Sequence, residues 1–191
     1  MNEDEVREAF RRHGVLQTGH FKLSSGRHSD QYLQKQALFE YPRLTARMGK
    51  AIAELFEKGS FDVVVSPALG AILLGNAVAY AADTRFVYAE RVDGEMKLRR
   101  GQIVHMGERA LIVEDIVTTG GSAAEVVHLV EQAGATVAGV AVLADRSNEP
   151  VPFQMTALLR VDANDWDPSE CPLCAEDRPM DSPGSRFLAS S

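Results

Sequence analysis

The chain has 191 residues, of which 45% are hydrophobic and 25% are charged, and its formal net charge is −7. These values are ordinary for a globular protein, and the length suits one domain with a substantial core. The negative charge excludes a general nucleic-acid binder, which needs a basic face. No apolar run is long enough to span a membrane, and the acidic first residues lack the features of a secretory signal. We therefore expect a single cytoplasmic domain over residues 1–191, with neither nucleic acid nor membrane as a partner.

The first part of the chain predicts a short helix and then a hairpin. Val6 and Phe10 lie on one face of a helix expected over residues 3–13. Strand-like segments at 21–23 and 31–33 flank a Ser-Ser-Gly-Arg turn. A surface hairpin with ordinary turn residues is the simplest interpretation of this segment alone.

The rest of the chain alternates strand and helix patterns. Helices are expected over 42–58, 72–82 and 122–133, and strands over 61–65, 85–91, 96–100, 110–113, 137–144 and 153–159. Such alternation predicts an α/β domain with a mostly parallel sheet and helices on both faces. In such a sheet, ligand-binding loops cluster at the carboxyl ends of the strands.

One stretch has the composition of a phosphate-binding turn. The apolar run at 110–113 is followed by Glu114 and Asp115, then by Thr-Thr-Gly-Gly-Ser at 118–122, and then by a helix pattern. Backbone N–H groups and the positive end of a helix dipole favour an anion at such a turn. The two acids would repel a phosphate unless they hold a magnesium ion or sugar hydroxyls. An ordinary strand-turn-helix unit is the alternative, but the acid pair at this spacing favours a ligand with both phosphate and ribose.

This stretch resembles the phosphoribosyl pyrophosphate signature of the type I phosphoribosyltransferases over its full length, from Leu111 to Ser122. The resemblance implies that Glu114 and Asp115 hold the ribose hydroxyls, directly or through Mg²⁺. It implies that the turn grips the 5′-phosphate. Mg²⁺ would be held mainly through the substrate, with Asp115 as the candidate protein ligand. A homodimer is also implied.

Two further loops are similar to loops of the same family. Residues 66–71 resemble the loop whose backbone N–H groups hold the leaving diphosphate, and residues 92–101 lie where the family has its catalytic loop. Arg91 and Lys97 are the expected catalytic cations, although a solvated hairpin is the alternative for this region. The residues expected to bind phosphoribosyl pyrophosphate are Ser66, Ala68, Leu69, Gly70, Glu114, Asp115, Val117, Thr118, Thr119, Gly120, Gly121 and Ser122.

The hairpin segment resembles the N-terminal hood of orotate phosphoribosyltransferases, which folds over the base. The matching residues are Phe21, Leu23, Ser25, Gly26, Ser29 and Tyr32. Many members carry a lysine where this chain has Ser24. Arg146 follows the strand at 137–144 and matches the arginine that grips the orotate carboxylate through paired hydrogen bonds. The residues expected to bind orotate are Ser25, Tyr32, Thr118 and Arg146.

The end of the chain carries a Cys-x-x-Cys pair, Cys171 and Cys174. A structural zinc ion usually takes four ligands, and the five histidines are scattered along the sequence. We therefore favour reduced structural thiols over a metal site. We also expect residues 1–40 to form a hood segment and residues 161–191 a C-terminal extension of the same domain.

These patterns together predict an enzyme with a type I phosphoribosyltransferase-like fold. The reaction that the resemblance implies is phosphoribosyl transfer from phosphoribosyl pyrophosphate to orotate, which gives orotidine 5′-monophosphate and diphosphate for UMP biosynthesis. A purine or uracil phosphoribosyltransferase would share the central stretch without the hood segment or Arg146. A non-catalytic regulator that senses phosphoribosyl pyrophosphate is the third candidate.

Overall fold

A computed structural model describes residues 1–23 and 25–183 of the chain. In chain order its elements are α1 (Glu3–Arg12), β1 (Leu16–Lys22), β2 (His28–Leu33), α2 (Gln36–Phe39), α3 (Pro42–Ala53), β3 (Val63–Pro67), α4 (Ile72–Ala82), β4 (Arg85–Val92), β5 (Glu95–Leu98), β6 (Arg109–Val117), α5 (Gly121–Gln132), β7 (Thr136–Asp145), β8 (Thr156–Arg160), β9 (Asp165–Trp166), a 3₁₀ turn (Pro168–Glu170) and α6 (Pro172–Ala175). No helix among the described residues has both the length and the apolar character needed to cross a membrane.

The larger sheet has the strand order β5-β4-β3-β6-β7-β8. Its neighbouring strands are parallel except in the β4–β5 hairpin. Because the strands run the same way, β3, β6 and β7 end at one edge, where Val117 lies opposite Asp145. This confirms the predicted, mostly parallel sheet and places the loops that follow these strands side by side.

Helices cover both faces of this sheet, as the alternating pattern predicts. Successive strand residues point to opposite faces. Val64 packs with the cluster formed by α1, α3 and α4, whereas Val63 and Val65 pack with the cluster that includes Val126 and Val130 of α5. The strands are therefore apolar on both sides, and their polar residues are confined to the ends where the loops begin.

A smaller antiparallel sheet, β1-β2-β9, forms the hood. The predicted strands at 21–23 and 31–33 are too short, because pairing extends from Leu16↔Leu33 to Lys22↔His28. The third strand comes from the other end of the chain, with Ser29 opposite Asp165. The segment after α6 also pairs with β1, since the N–H of Lys22 donates to the carbonyl of Asp181 at 2.8 Å. The hood is thus built from both ends of the chain.

Other predicted element boundaries are also wrong. Helix α3 ends at Ala53 instead of residue 58, because the chain tightens into turns in which Phe56 N–H donates to the carbonyl of Ala53 at 3.3 Å. Phe56 still packs, with its ring centroid 6.2 Å from that of Phe61, so its apolar character imitates one more helical turn. Strand β6 continues through both acids to Val117, and β8 begins at Thr156 instead of residue 153.

Candidate active site

The turn at 118–122 forms a pocket at the end of β6, as the sequence predicts. Gly120 precedes the first residue of α5 with φ +78°, a conformation that glycine adopts without strain. A Cβ on Gly120 would lie 3.1 Å from the side chains of Val151 and Phe153, so these two side chains pack directly against the turn. No described side chain caps the start of α5, which leaves its N–H groups directed towards the pocket. The pocket is lined by Glu114, Ile116, Val117, Thr118, Thr119, Gly120, Gly121, Ser122 and Ala123.

Glu114 is the carboxylate of this pocket, and it is 8% exposed. Burial and, to a smaller extent, the neighbouring Asp115 raise its pKa from the ordinary 4.5 to about 8. Its side chain accepts a hydrogen bond from the backbone N–H of Asp115 at 3.1 Å. In the absence of substrate, Glu114 is therefore largely protonated at neutral pH and can donate a hydrogen bond to a hydroxyl oxygen.

Asp115 faces a different set of groups, because adjacent strand residues point to opposite sides. Its carboxylate is 1% exposed and lies 2.7 Å (Oδ2) and 3.0 Å (Oδ1) from the ammonium of Lys35. The backbone N–H of Ile116 donates to Oδ1 at 2.6 Å. Among the described residues, Asp115 is therefore held by one ammonium group and one backbone N–H.

Lys35 is a residue of the site that the sequence did not reveal. It stands 80 positions before Asp115, between β2 and α2, and it belongs to no recognisable pattern. The fold brings it to the acid because the end of the hood lies over the carboxyl edge of the large sheet. A lone lysine at a strand end is too common a feature to single out in advance.

The 66–71 loop lies against one of the two acids, Asp115. A Cβ on Gly70 would lie 2.2 Å from Oδ2 of Asp115 and 2.6 Å from Nζ of Lys35, so this position has room for glycine alone. Two details differ from the expectation. The N–H of Ala68 donates to the carbonyl of Ala89 at 2.7 Å and is not offered to a ligand, and the buried Ser66 hydroxyl faces Gly75 of α4. Leu69, which is 85% exposed, follows Ala68 through a cis peptide bond.

The two predicted catalytic cations, Arg91 and Lys97, form ion pairs with nearby glutamates and not with Glu114 or Asp115. Arg91 donates to Glu125 of α5 at 2.8 Å and to the carbonyl of Gly94. Lys97 lies 2.9 Å from Glu95 in its own strand. Both cations therefore lie on the β4–β5 hairpin, and Arg91 also contacts α5. Their catalytic role stays a prediction.

Arg146 joins the hood to the edge of the large sheet. Its N–H donates to the carbonyl of Val117 at 2.8 Å, and its Nη2 donates to the hydroxyl of Ser29 at 2.8 Å. Burial lowers the pKa of this guanidinium. Its Nε is buried without a hydrogen-bond partner among the described residues. An unsatisfied, buried donor is costly, and a carboxylate is the acceptor that a guanidinium binds best.

The other predicted orotate residues lie in or near the hood. Tyr32 of β2 stacks at a tilt against Phe21, with ring centroids 5.6 Å apart. Ser25 is exposed in the hairpin turn, where its hydroxyl accepts from the N–H of Arg27 at 3.4 Å. Thr118 lies in the pocket of β6 instead. Ser24, where the family lysine is missing, lies outside the described residues.

The histidines are scattered along the sequence, but two of them lie close together in the hood, next to the two cysteines. His20 of β1 and His28 of β2 lie beside Cys171 and Cys174, and one potential ligand atom from each lies within 4.8 Å of the others. The sequence held a usable signal, since both histidines flank the predicted hairpin turn. Without the third strand and α6 in place, however, nothing connected them to cysteines more than 140 positions away.

A model of the phosphoribosyl transferase domain matches residues 34–173, which defines the class of protein. Orotate phosphoribosyltransferase of Chlorobium phaeobacteroides is 42% identical over 193 aligned residues that span all of both chains. That of Thermotoga petrophila is 44% identical over 96% of this chain and 99% of its own. The crystal structure of Mycobacterium tuberculosis orotate phosphoribosyltransferase has a TM-score of 0.67 at 28% identity, covering 83% of this chain and 95% of its own. The chain belongs to the orotate phosphoribosyltransferase family.

Proposed function

We propose that this chain transfers the 5-phosphoribosyl group from phosphoribosyl pyrophosphate to orotate, giving orotidine 5′-monophosphate and diphosphate in UMP biosynthesis. One observation carries the choice of orotate. The guanidinium of Arg146 donates to Ser29 of the hood and keeps a buried Nε donor without a partner among the described residues, while its backbone N–H bonds Val117 of the β6 pocket. Orotate has a carboxylate that uracil and the purine bases lack, and that carboxylate is the natural acceptor for this donor.

The donor substrate occupies the edge formed by β3 and β6. Residues 118–122 hold the 5′-phosphate through backbone N–H groups at the start of α5. Glu114 and Asp115 orient the ribose hydroxyls from its two sides. The bond from ribose C1 to the diphosphate oxygen breaks as the bond from C1 to N1 of orotate forms, and the proton of N1 is released. The chain's contribution is positioning and the stabilisation of charge, which act on a transition state resembling an oxocarbenium ion.

Magnesium fits this site as an ion carried by the substrate. Mg²⁺ keeps several waters and is usually bound by one or two carboxylates together with substrate phosphates. Asp115 supplies one charged carboxylate, whereas Glu114, with its pKa raised to about 8, is a poor ligand until it loses its proton. When bound, the ion neutralises charge on the leaving diphosphate. Lys35 balances Asp115 in the absence of the substrate and must give up part of that contact if the ion binds there.

The diphosphate lies against the 66–71 loop in this proposal. Arg91 and Lys97 reach it if the β4–β5 hairpin moves and their ion pairs with Glu125 and Glu95 open. Each of these pairs is solvent-exposed, so opening one costs little, at most about 1 kcal/mol. We further propose that the protein works as a cytoplasmic homodimer.

The deciding experiment follows the consumption of orotate, uracil and hypoxanthine in parallel, each with phosphoribosyl pyrophosphate and Mg²⁺. We expect turnover of orotate and none of the other two bases. Turnover of uracil or hypoxanthine without orotate would assign the chain to another base. Binding of phosphoribosyl pyrophosphate with no base consumed would favour a sensing regulator.

A further inference from the structure

Four side chains of the hood and the C-terminal extension converge on one point, away from the pocket of β6. His20 lies on β1, His28 lies on β2, and Cys171 and Cys174 lie at the start of α6 and within it. Imidazole nitrogen and thiolate sulfur are the ligands that Zn²⁺ prefers. We call this group the His-Cys cluster.

Four of the six distances between ligand atoms in the His-Cys cluster are close to the edges of a tetrahedron around zinc, and all six are within 4.8 Å. Zn–N bonds of about 2.0–2.1 Å and Zn–S bonds of about 2.3 Å put tetrahedral ligand atoms about 3.3–3.8 Å apart. His20 Nε2 lies 3.2 Å from His28 Nδ1 and 3.6 Å from Cys171 Sγ. Cys174 Sγ lies 3.7 Å from His20 Nε2 and 3.2 Å from His28 Nδ1. Four donor atoms at these separations can surround one ion.

The surroundings of the His-Cys cluster prepare His20 to act as a ligand. Its Nδ1 lies 3.0 Å from the carbonyl oxygen of Arg178, which accepts a hydrogen bond and so fixes the proton on that nitrogen. The lone pair on Nε2 then points to the other three groups. This arrangement, in which the second ring nitrogen donates to a backbone carbonyl, is typical of histidines that bind metals.

Burial argues for an ion rather than for four isolated polar groups. His20, His28 and Cys171 are 4%, 6% and 4% exposed. Thiols are weak hydrogen-bond donors and acceptors, so they satisfy two buried imidazoles poorly. An ion satisfies all four groups at once, and its two positive charges are balanced by two thiolates.

We propose that the His-Cys cluster is a structural Zn²⁺ site of the Cys₂His₂ type. All four positions are filled by side chains, as in closed structural sites that have no catalytic role. The site joins residues 20 and 28, in the first strands of the hood, to residues 171 and 174 near the other end of the chain. Zinc therefore stabilises the position of the hood in which Ser29 and Gln31 contact Arg146.

The first measurement is the metal content of the full-length chain, purified without chelators and analysed by plasma mass spectrometry. We expect about one zinc per chain. Cys174→Ser should lose most of this zinc, since it removes one thiolate at the most exposed corner of the cluster. His105→Ala and His128→Ala are matched controls that remove exposed histidines elsewhere, and both should keep the metal.

A second measurement does not depend on any variant folding. A zinc chelator should lower the thermal unfolding midpoint of the wild-type chain, and added Zn²⁺ should restore it, because binding to the folded state stabilises that state. Co²⁺ in place of zinc should give the visible absorption of a tetrahedral site with thiolate ligands.

The outcomes separate the alternatives cleanly. A zinc-free wild-type chain, which neither binds added Zn²⁺ nor is stabilised by it, would overturn the proposal and leave two ordinary thiols. Zinc retained in full by Cys174→Ser would also overturn it, because the ion would then lie elsewhere. Neither measurement uses orotate or phosphoribosyl pyrophosphate, so the result is independent of the proposed activity.

Discussion

The β6 pocket and the His-Cys cluster are both built from loop and strand ends, but their residues are distributed along the chain in opposite ways. The pocket takes its lining from one continuous stretch, residues 114–123. The cluster takes four residues from two segments separated by more than 140 positions. The first kind of site is visible in a sequence because strand, turn and helix follow each other directly. The second exists only once the fold has joined the ends.

Asp115→Asn tests the carboxylate that lies beside the 66–71 loop, and it should have the largest effect. The change removes a carboxylate that lies against Gly70 and Lys35, while an amide keeps the shape. We expect kcat/KM for phosphoribosyl pyrophosphate to fall by about 10²–10³. Asp62→Asn is the matched control, because Asp62 is also ion-paired, with Arg109 at 2.6 Å, but lies at the opposite end of its strand. Steady-state kinetics that give equal rates for the two variants would remove Asp115 from the mechanism.

Lys35→Met tests the link between hood and pocket. It leaves the carboxylate of Asp115 buried without its cation, and we expect the free energy of unfolding to fall by about 1–2 kcal/mol, since Lys35 itself is partly exposed. Urea denaturation measures this loss. Adding Asp115→Asn should recover part of it, because the unpaired charge is then gone. Lys50→Met, which breaks an exposed pair with Glu54, should change stability far less. A loss no larger than that of Lys50→Met would mean that the ion pair is unimportant.

Arg146 contacts both Ser29 of the hood and Val117 of the β6 pocket. Arg146→Lys should weaken the binding of orotate and leave the binding of phosphoribosyl pyrophosphate unchanged. Lysine keeps the positive charge but loses the paired geometry, and a hydrogen bond to a charged group is worth about 1.5–3 kcal/mol. We therefore expect the KM for orotate to rise about tenfold or more, with little change for phosphoribosyl pyrophosphate. Arg85→Lys, at an ion pair with Glu108, serves as the control. An unchanged KM for orotate would remove the basis for choosing orotate over uracil.

The last test concerns the pH dependence of stability that Glu114 creates. Its pKa in the folded chain, about 8, lies above its ordinary 4.5, so the folded state holds a proton that the unfolded state releases. The resulting stabilisation is complete below pH 4.5 and is lost as the pH rises to about 8. Glu114→Gln cannot ionise and should lose less stability over the same range. Parallel denaturation curves of both chains at several pH values give the difference, and identical slopes would refute the raised pKa.

Much of the fold was predictable from the sequence because its strands and helices carry strong, uninterrupted apolar patterns. The parallel sheet and the pocket of Gly120 follow from these patterns and from the order of the elements. Their ends were less predictable, as Phe56 shows, since an apolar residue in a turn looks the same as one in a helix. The partners of Asp115 and His20 were not predictable, because Lys35 and Cys171 carry no local periodicity. Such contacts depend on how distant elements meet, and composition does not encode that.

The hood also imposes an order on assembly. Its first two strands leave the ribosome early, but β9 and the cysteines that meet His20 and His28 are made last. The β6 pocket needs nothing beyond Phe153 to close behind Gly120. During synthesis, the donor half of the site can therefore form while the acceptor half still waits for the final segment.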